Sequence, residues 1–264
     1  MITSTSNVQV KDLVRLQKKA KARNEEGVFL VEGIRMAQEI PKERIVRMYV
    51  SESFAKKNGS FMEQMKQMSV RAEIMSDNVF AHVSDTKTPQ GVLAVVKRLE
   101  YSFEDITGKN GKKIPHVLVL DNLQDPGNLG TIFRTAEAAG ATGILLGSDC
   151  VDIYNPKVIR STMGAVFRLP FLYTEDLTGT IGELKREGIR VYAAHLEGKN
   201  TYDGECYKDG CAFLIGNEGN GLKEEVAACA DTRIRIPMEG SAESLNAAVA
   251  AAVLMFEVSR QRRS

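Results

Sequence analysis

From residue 116 onward, short uninterrupted apolar runs alternate with segments of helical periodicity. Strands are expected at His116–Leu120, Gly143–Leu146, Arg190–His195, Ala212–Ile215 and Thr232–Ile236. Helices are expected at Leu129–Ala139, Pro156–Met163, Asp176–Glu187 and from about Ala242 to Arg260. Strands that are apolar throughout and separated by helices imply a mainly parallel sheet covered on both faces. In such a sheet, ligands bind at loops leaving the carboxyl ends of strands.

The first half is less regular. A basic helix is expected over residues 8–23, with Val10, Leu13 and Val14 on its apolar stripe. Strands are read at Val28–Val31, Ile45–Val50 and Gly91–Val96, and helices at Gly33–Glu39 and Phe54–Met68. This makes a small mixed α/β domain over residues 1–98. The polar, glycine-containing stretch 99–114 reads as a linker, and 115–264 as a second domain.

Charge follows the same division. Residues 1–114 carry 20 basic and 14 acidic side chains, whereas residues 115–264 carry 15 and 20, for a net charge of only +1 overall. A generally polybasic protein is thereby excluded; a local basic surface is not. Lys11, Arg15, Lys18, Lys19, Lys21 and Arg23 face a single acid, Asp12, in the first expected helix. Such a run is either a solvated face or a phosphate-contacting one. The four cysteines and three histidines show no metal-ligand spacing, so no metal is expected. The absence of a signal core and of any run near the ~18 apolar residues of a membrane span points to a cytoplasmic protein.

Three strand-end loops carry unusual composition. After the strand at 116–120 comes DNLQDPGNLGTIFR, in which Asp125-Pro126-Gly127 forms a turn and Asn128 is placed to cap the following helix. Arg134 lies off that helix's apolar stripe of Leu129, Ile132, Phe133 and Ala136. The second loop is GNEGNGL at 216–222, where closely spaced glycines let a ligand approach the backbone or simply make a turn. Its GxxGxG spacing, with Glu239 some 20 residues on, leaves a nucleotide-dependent oxidoreductase as a rival, although the dinucleotide fingerprint is GxGxxG after a first strand. The third is IPMEGSAESLN at 236–246, with Ser241, Ser244 and Asn246 at the start of the last helix, in positions where such residues also serve as caps.

Taken together, Asn128 to Arg134, Gly216 to Gly221 and Ile236 to Asn246 resemble the motifs of the SpoU (TrmH-type) branch of the SPOUT RNA methyltransferases, in the same order. The N-terminal half, with NVQVKDL and FLVEG, is similar to the substrate-binding domain of relatives acting on ribosomal RNA. The resemblance implies a trefoil-knotted α/β catalytic domain, a homodimer, and methyl transfer from S-adenosylmethionine to a ribose 2′-hydroxyl. It implies Arg134 as the catalytic arginine, supported by Asn128, Glu218, Ser244 and Asn246. The cofactor would meet Leu214, Ile215, Gly216, Asn217, Gly221, Ile236, Met238, Ser244 and Leu245. RNA would meet Lys11, Arg15, Lys18, Lys19 and Arg23. Ala247 and Ala248 stand where relatives often carry Val-Ser, which removes one hydroxyl. Ribosomal RNA is the expected substrate, with transfer RNA the alternative. A base-methylating SPOUT enzyme and a non-catalytic RNA-binding protein are further alternatives. His82, His116 and His195 fall outside all three motifs.

Overall fold

The computed structural model describes residues 1–263. The chain packs as two units: Met1–Leu99 together with Asp152–Phe167, and Glu100–Val151 together with the chain from Arg168 onward.

The first unit begins with α1 (Val8–Lys18), α2 (Ala20–Glu26), β1 (Val28–Glu32) and α3 (Ile34–Gln38). It continues through β2 (Ile45–Ser51), α4 (Glu52–Lys57), α5 (Gly59–Gln67), β3 (Ala72–Met75), α6 (Asp77–Val83) and β4 (Val92–Lys97). The sheet order is β1-β4-β2-β3, with β4 antiparallel to both neighbours and β3 parallel to β2. Two helices expected as continuous are broken. Lys19 adopts an extended backbone (φ −119°, ψ 110°) between α1 and α2, and Asn58 does the same service between α4 and α5. The edge strand β3 carries no signal in the sequence, because only Met75 of its four residues is fully buried and no alternation marks it. Helix α6 was also missed; Val79, Phe80 and Val83 pack it with Val10, Leu13 and Leu16 of α1 over Leu30, Tyr49, Leu93 and Val95.

The break at Lys19 corrects the reading of Arg23. Its side chain is buried, donates to the carbonyls of Leu16 (2.8 Å) and Gln17 (3.2 Å), and pairs with Asp152 at 2.5 Å. Arg23 closes the end of α1 and is no phosphate ligand. Arg15 remains at the surface but is held by Asp12 (2.6 Å) and by Glu26. Lys11, Lys18 and Lys19 are exposed.

The second unit comprises α7 (Phe103–Ile106), β5 (His116–Leu120), α8 (Pro126–Ala138) and β6 (Gly143–Gly147). The chain then returns to the first unit through α9 (Pro156–Ser161), which packs on β1. There Tyr154 lies 4.7 Å from Phe29, whose ring points away from the Leu30 face. Residues 152–167 thus cover a face of the first sheet, although they fall within the span expected for the second domain. The second unit resumes with β7 (Phe171–Thr174), α10 (Leu177–Arg186), β8 (Arg190–Ala194) and β9 (Asn200–Thr201). It ends with β10 (Cys211–Ile215), α11 (Glu224–Ala227), β11 (Thr232–Arg235) and α12 (Ala247–Arg263).

These strands form one sheet in the order β7-β6-β5-β10-β8-β11-β9, with every pairing parallel. One face buries Val117, Val119, Leu145, Val191, Ala193, Ala212 and Leu214 under Ile106, Ile181, Leu184 and Val226 from α7, α10 and α11. The alternate residues face α8 and α12; Phe133 of α8 meets Phe171 edge-on at 5.5 Å. The stretch expected as a linker begins as part of this cover: α7 starts with a Ser102–Asp105 capping box and ends in the fully buried Ile106. A Cβ on Gly143 would stand 2.7 Å from the Ile106 Cα, so glycine is needed for this contact.

Neighbouring strands β5 and β10 send their chains to opposite faces, into α8 and α11 respectively. Their shared carboxyl edge is therefore the switch point, the place where parallel sheets bind ligands.

Candidate active site

The loop after β5 enters α8 through Asp125, whose carboxylate accepts from the Asn128 amide at 2.8 Å, with Pro126 in the first helical position. The cap is thus Asp125 and not Asn128, as the Asp-Pro pair itself indicates. Asn128, two residues past that proline, is left with a free side-chain amide, and this amide becomes the centre of the site.

Its Nδ2 donates to Glu218 Oε1 at 3.0 Å, and its Oδ1 accepts from Asn246 Nδ2, also at 3.0 Å. Glu218 further accepts from the backbone amides of Gln124 (3.2 Å) and Asp125 (3.0 Å). Asn246 Oδ1 accepts from Ala248 N (2.9 Å) and Val249 N (3.3 Å), capping α12. A carboxylate only accepts, so Glu218 fixes which way Asn128 points, and Asn128 in turn fixes Asn246. All three motif loops are joined by this one chain of bonds. Burial pushes the Glu218 carboxyl up, but the hydrogen bonds from Asn128 and from backbone amides outweigh it and hold the group below its ordinary value.

The Gly216–Gly221 loop folds back on itself. Asn217 and Gly221 exchange backbone hydrogen bonds (2.9 and 3.0 Å), and a Cβ on Gly216 would lie 2.2 Å from the backbone at Gly221 and Leu222. Gly221 has φ +69°. These glycines are required by the turn itself. Asn217 Oδ1 accepts from Gly219 N and Asn220 N, while its Nδ2 donates to Asn122 O at 2.8 Å, so its side chain braces the loop. Leu214 lies in the core, and the Ile215 carbonyl accepts from Asp121 N at 2.9 Å.

A further tie was not anticipated from sequence. Asp121, 1% exposed, accepts from Lys223 N at 2.8 Å, and Lys223 Nζ reaches Asp149 at 2.5 Å. The Asp149 hydrogen bond leads in raising the Lys223 pKa. An acid at the end of a strand and a lysine about a hundred residues on carry no local signal of their pairing.

The other expected residues lie outside the network. Arg134 is exposed, and no hydrogen bond or ion pair holds it among the described residues. Six residues on from Asn128, it lies about 120° away round α8. Ser244 is also exposed and unbonded among the described residues. Ile236, Met238 and Leu245 are half-buried, and residues 238–244 form no hydrogen bond with other described residues. Half-buried apolar side chains beside unused backbone donors and acceptors fit a nucleoside-bearing cofactor such as S-adenosylmethionine. His116 is buried in β5, where burial, followed by repulsion from Arg262, pushes it down to about 3. Among the described residues no cluster of metal-ligating side chains occurs, and no helix is long and apolar enough to cross a membrane.

Comparison with known proteins places the fold in a family. Residues 115–256 match the SpoU rRNA Methylase family, and residues 7–94 match the MRM3-like substrate binding domain. A Bacillus subtilis relative named 23S rRNA (guanosine(2553)-2′-O)-methyltransferase RlmP is 34% identical over 97% of this chain and 98% of its own. The structure of an AdoMet-bound rRNA methyltransferase from Sinorhizobium meliloti superposes with a TM-score of 0.84 at 31% identity, covering 98% of this chain and 97% of the other. The SpoU methyltransferase AviRb from Streptomyces viridochromogenes, in complex with AdoMet, gives a TM-score of 0.85 at 27% identity, over 98% and 99% of the two chains. With its motif loops joined at the switch point of a parallel sheet, the chain belongs to the SpoU rRNA methylase family.

Proposed function

We propose that this protein methylates a ribose 2′-hydroxyl of ribosomal RNA, of the 23S type, using S-adenosylmethionine. The observation that carries the reading is the Glu218–Asn128–Asn246 chain, which joins three separate loops at one edge of the sheet. Backbone at Gly216, Ile236 and Leu245, with the Met238 side chain, would hold the cofactor. When bound, it supplies a methyl already activated on a sulfonium.

The chain's own residues then have two tasks: aligning the acceptor oxygen and handling its proton. Arg134, free and exposed, is available to contact the ribose oxygen. A guanidinium stays protonated, so its role is to stabilise the forming alkoxide while an RNA phosphate or water takes the proton. The Asn128 network shapes the wall against which the nucleotide is oriented. Ser244 stands as an additional hydroxyl on the third loop. No histidine joins the network, and His116 is sealed in the sheet.

The proposal extends to a trefoil-knotted second domain, to residues 1–98 as an RNA-binding domain, and to a cytoplasmic location. It also includes a homodimer. Val249 and Phe256 are 49% and 46% exposed on α12 with Val253 between them, an apolar stripe suited to a second copy of the same helix. Sedimentation showing a monomer at micromolar concentration would remove the dimer.

The deciding experiment uses labelled S-adenosylmethionine with ribosomal RNA and, separately, transfer RNA. Label in ribosomal RNA, at an alkali-resistant linkage, is expected for wild type. It should be lost in Arg134→Ala, with cofactor binding retained. Label in transfer RNA alone would transfer the assignment there, and an alkali-labile site would refute ribose methylation.

A further inference from the structure

The FLVEG segment lies outside the methyl-transfer site, and the structure gives it a task. At the end of β1, Glu32 Oε1 accepts from Ser84 Oγ (2.5 Å) and Thr86 Oγ1 (2.9 Å), and its Oε2 accepts from Asp85 N (3.1 Å). The next residue, Gly33, has φ +101°, and a Cβ there would stand 3.1 Å from Gln90 Oε1. That same Gln90 oxygen accepts from Ile34 N at 3.1 Å. The loop Ser84–Gln90 is therefore tied at both ends to the β1–α3 turn. Only Lys87, Thr88 and Pro89 lie between the ties.

Beside this loop is an open hollow of about 570 Å³, lined by Gln17, Lys18, His82, Ser84, Lys87 and Asn155 among others. Its walls are mostly polar. The one acid in them, Asp85, is paired with Arg160 at 3.1 Å. Lys18, His82 and Lys87 have no partner among the described residues. The hollow is thus net positive, held in a fixed shape, and edged by neutral hydrogen-bonding groups. That chemistry suits phosphates and 2′-hydroxyls of a structured RNA. The neighbouring part of α1 differs, because Asp12 lies among Lys11, Arg15 and Arg47 and bonds to Arg15.

We propose that this hollow, walled by α1, α6 and the Ser84–Gln90 loop, is where the first unit grips the RNA backbone. Lys18 and Lys87 are the contacts, and Glu32 is the positioning residue that holds the loop. The inference rests on the reading of RNA as substrate.

The test measures binding of deproteinised 23S ribosomal RNA over a series of KCl concentrations. Wild type is compared with Lys18→Gln/Lys87→Gln, with Glu32→Gln, and with a control, Lys57→Gln/Lys66→Gln, whose lysines are exposed on α4 and α5. The Lys18/Lys87 pair should weaken binding about tenfold and flatten the log–log salt slope by about 1.5, with S-adenosylmethionine affinity and Tm unchanged. Glu32→Gln should weaken RNA binding with the salt slope retained, since it removes an acceptor and no cation. If the Lys18/Lys87 variant binds as wild type does, or the control pair loses as much, the hollow is not the grip. If wild type shows no salt-dependent binding at all, it is the RNA reading that fails.

Discussion

Replacing Glu218 with glutamine tests whether one carboxylate sets the polarity of the whole site. The change is nearly isosteric but turns one acceptor oxygen into an amide donor. Glu218 accepts from Gln124 N, Asp125 N and Asn128 Nδ2, so a glutamine there must point its NH2 at a donor. If the NH2 takes the Oε2 position it faces Gln124 N, and that donor is left unsatisfied, which costs about 1–3 kcal/mol when buried and the lower end of that range at this exposed position. If it takes the Oε1 position it faces Asp125 N and Asn128 together; Asn128 must flip, Asn246 must follow, and the Asn246 Oδ1 leaves the amides of Ala248 and Val249. Loss of that cap costs about 1 kcal/mol. Either route gives about 1–2 kcal/mol, or roughly 5–30-fold in the population of the aligned loops. The expected outcome is a drop of that size in kcat for methyl transfer to ribosomal RNA, with Tm lowered by only a few degrees. Single-turnover transfer, cofactor titration and thermal melting on the same sample measure all three quantities. A variant with wild-type kcat would refute the polarity argument, whatever its Tm.

Other substitutions separate the site from its scaffold. Gly216→Ala puts a Cβ 2.2 Å from the Gly221 backbone, so the loop must open; S-adenosylmethionine affinity should fall at least tenfold by calorimetry while the far-UV circular dichroism holds. Arg23→Ala leaves Asp152 and two carbonyls without their donor; about 3 kcal/mol of stability should be lost, read as a shift in denaturation midpoint, because removing one partner strands the other. His116 is held neutral, with its pKa near 3 instead of 6.5, so the unfolded chain binds the proton first as pH falls. Stability should decline by about 1.4 kcal/mol per pH unit below roughly 6.5 until about pH 3, and His116→Phe should flatten that branch of the denaturation profile. The Glu218 carboxylate network is complete at neutral pH and is lost only as pH falls through its lowered pKa, so cofactor-loop order should persist below the pH at which an ordinary glutamate protonates, as loop amide exchange followed through an acid titration would show.

Strands β5, β6, β8 and β10 were legible because each has four or more consecutive apolar residues, and helix α10 because Leu177, Ile181 and Leu184 recur at helical spacing. The three motif loops were legible by composition and by resemblance. The expected cap, Asn128, lies three residues inside the helix, because Pro126 marks the first turn and so names Asp125 as cap. Periodicity alone starts the last helix near Ala242; it starts at Ala247, because Asn246 and not a serine supplies the cap. Arg23 looked like a member of a basic stripe because its partners are a carboxylate in residue 152 and two carbonyls exposed only by the break at Lys19.

Sequence by itself determined the α/β alternation, the family and the identities of the groups available for chemistry, since these depend on residue type and short-range spacing. Tertiary structure decided which of those groups meet. Asn128 touches a carboxylate 90 residues later and an amide 118 residues later, and Glu32 organises a loop more than fifty residues away. Local propensity acts over a turn of helix or a strand's length. The Asn128 bonds depend on the order in which strands β5, β10, β8 and β11 lie side by side, and the Glu32 bonds on β1 lying beside β4, because strand order sets which loops share an edge of a sheet.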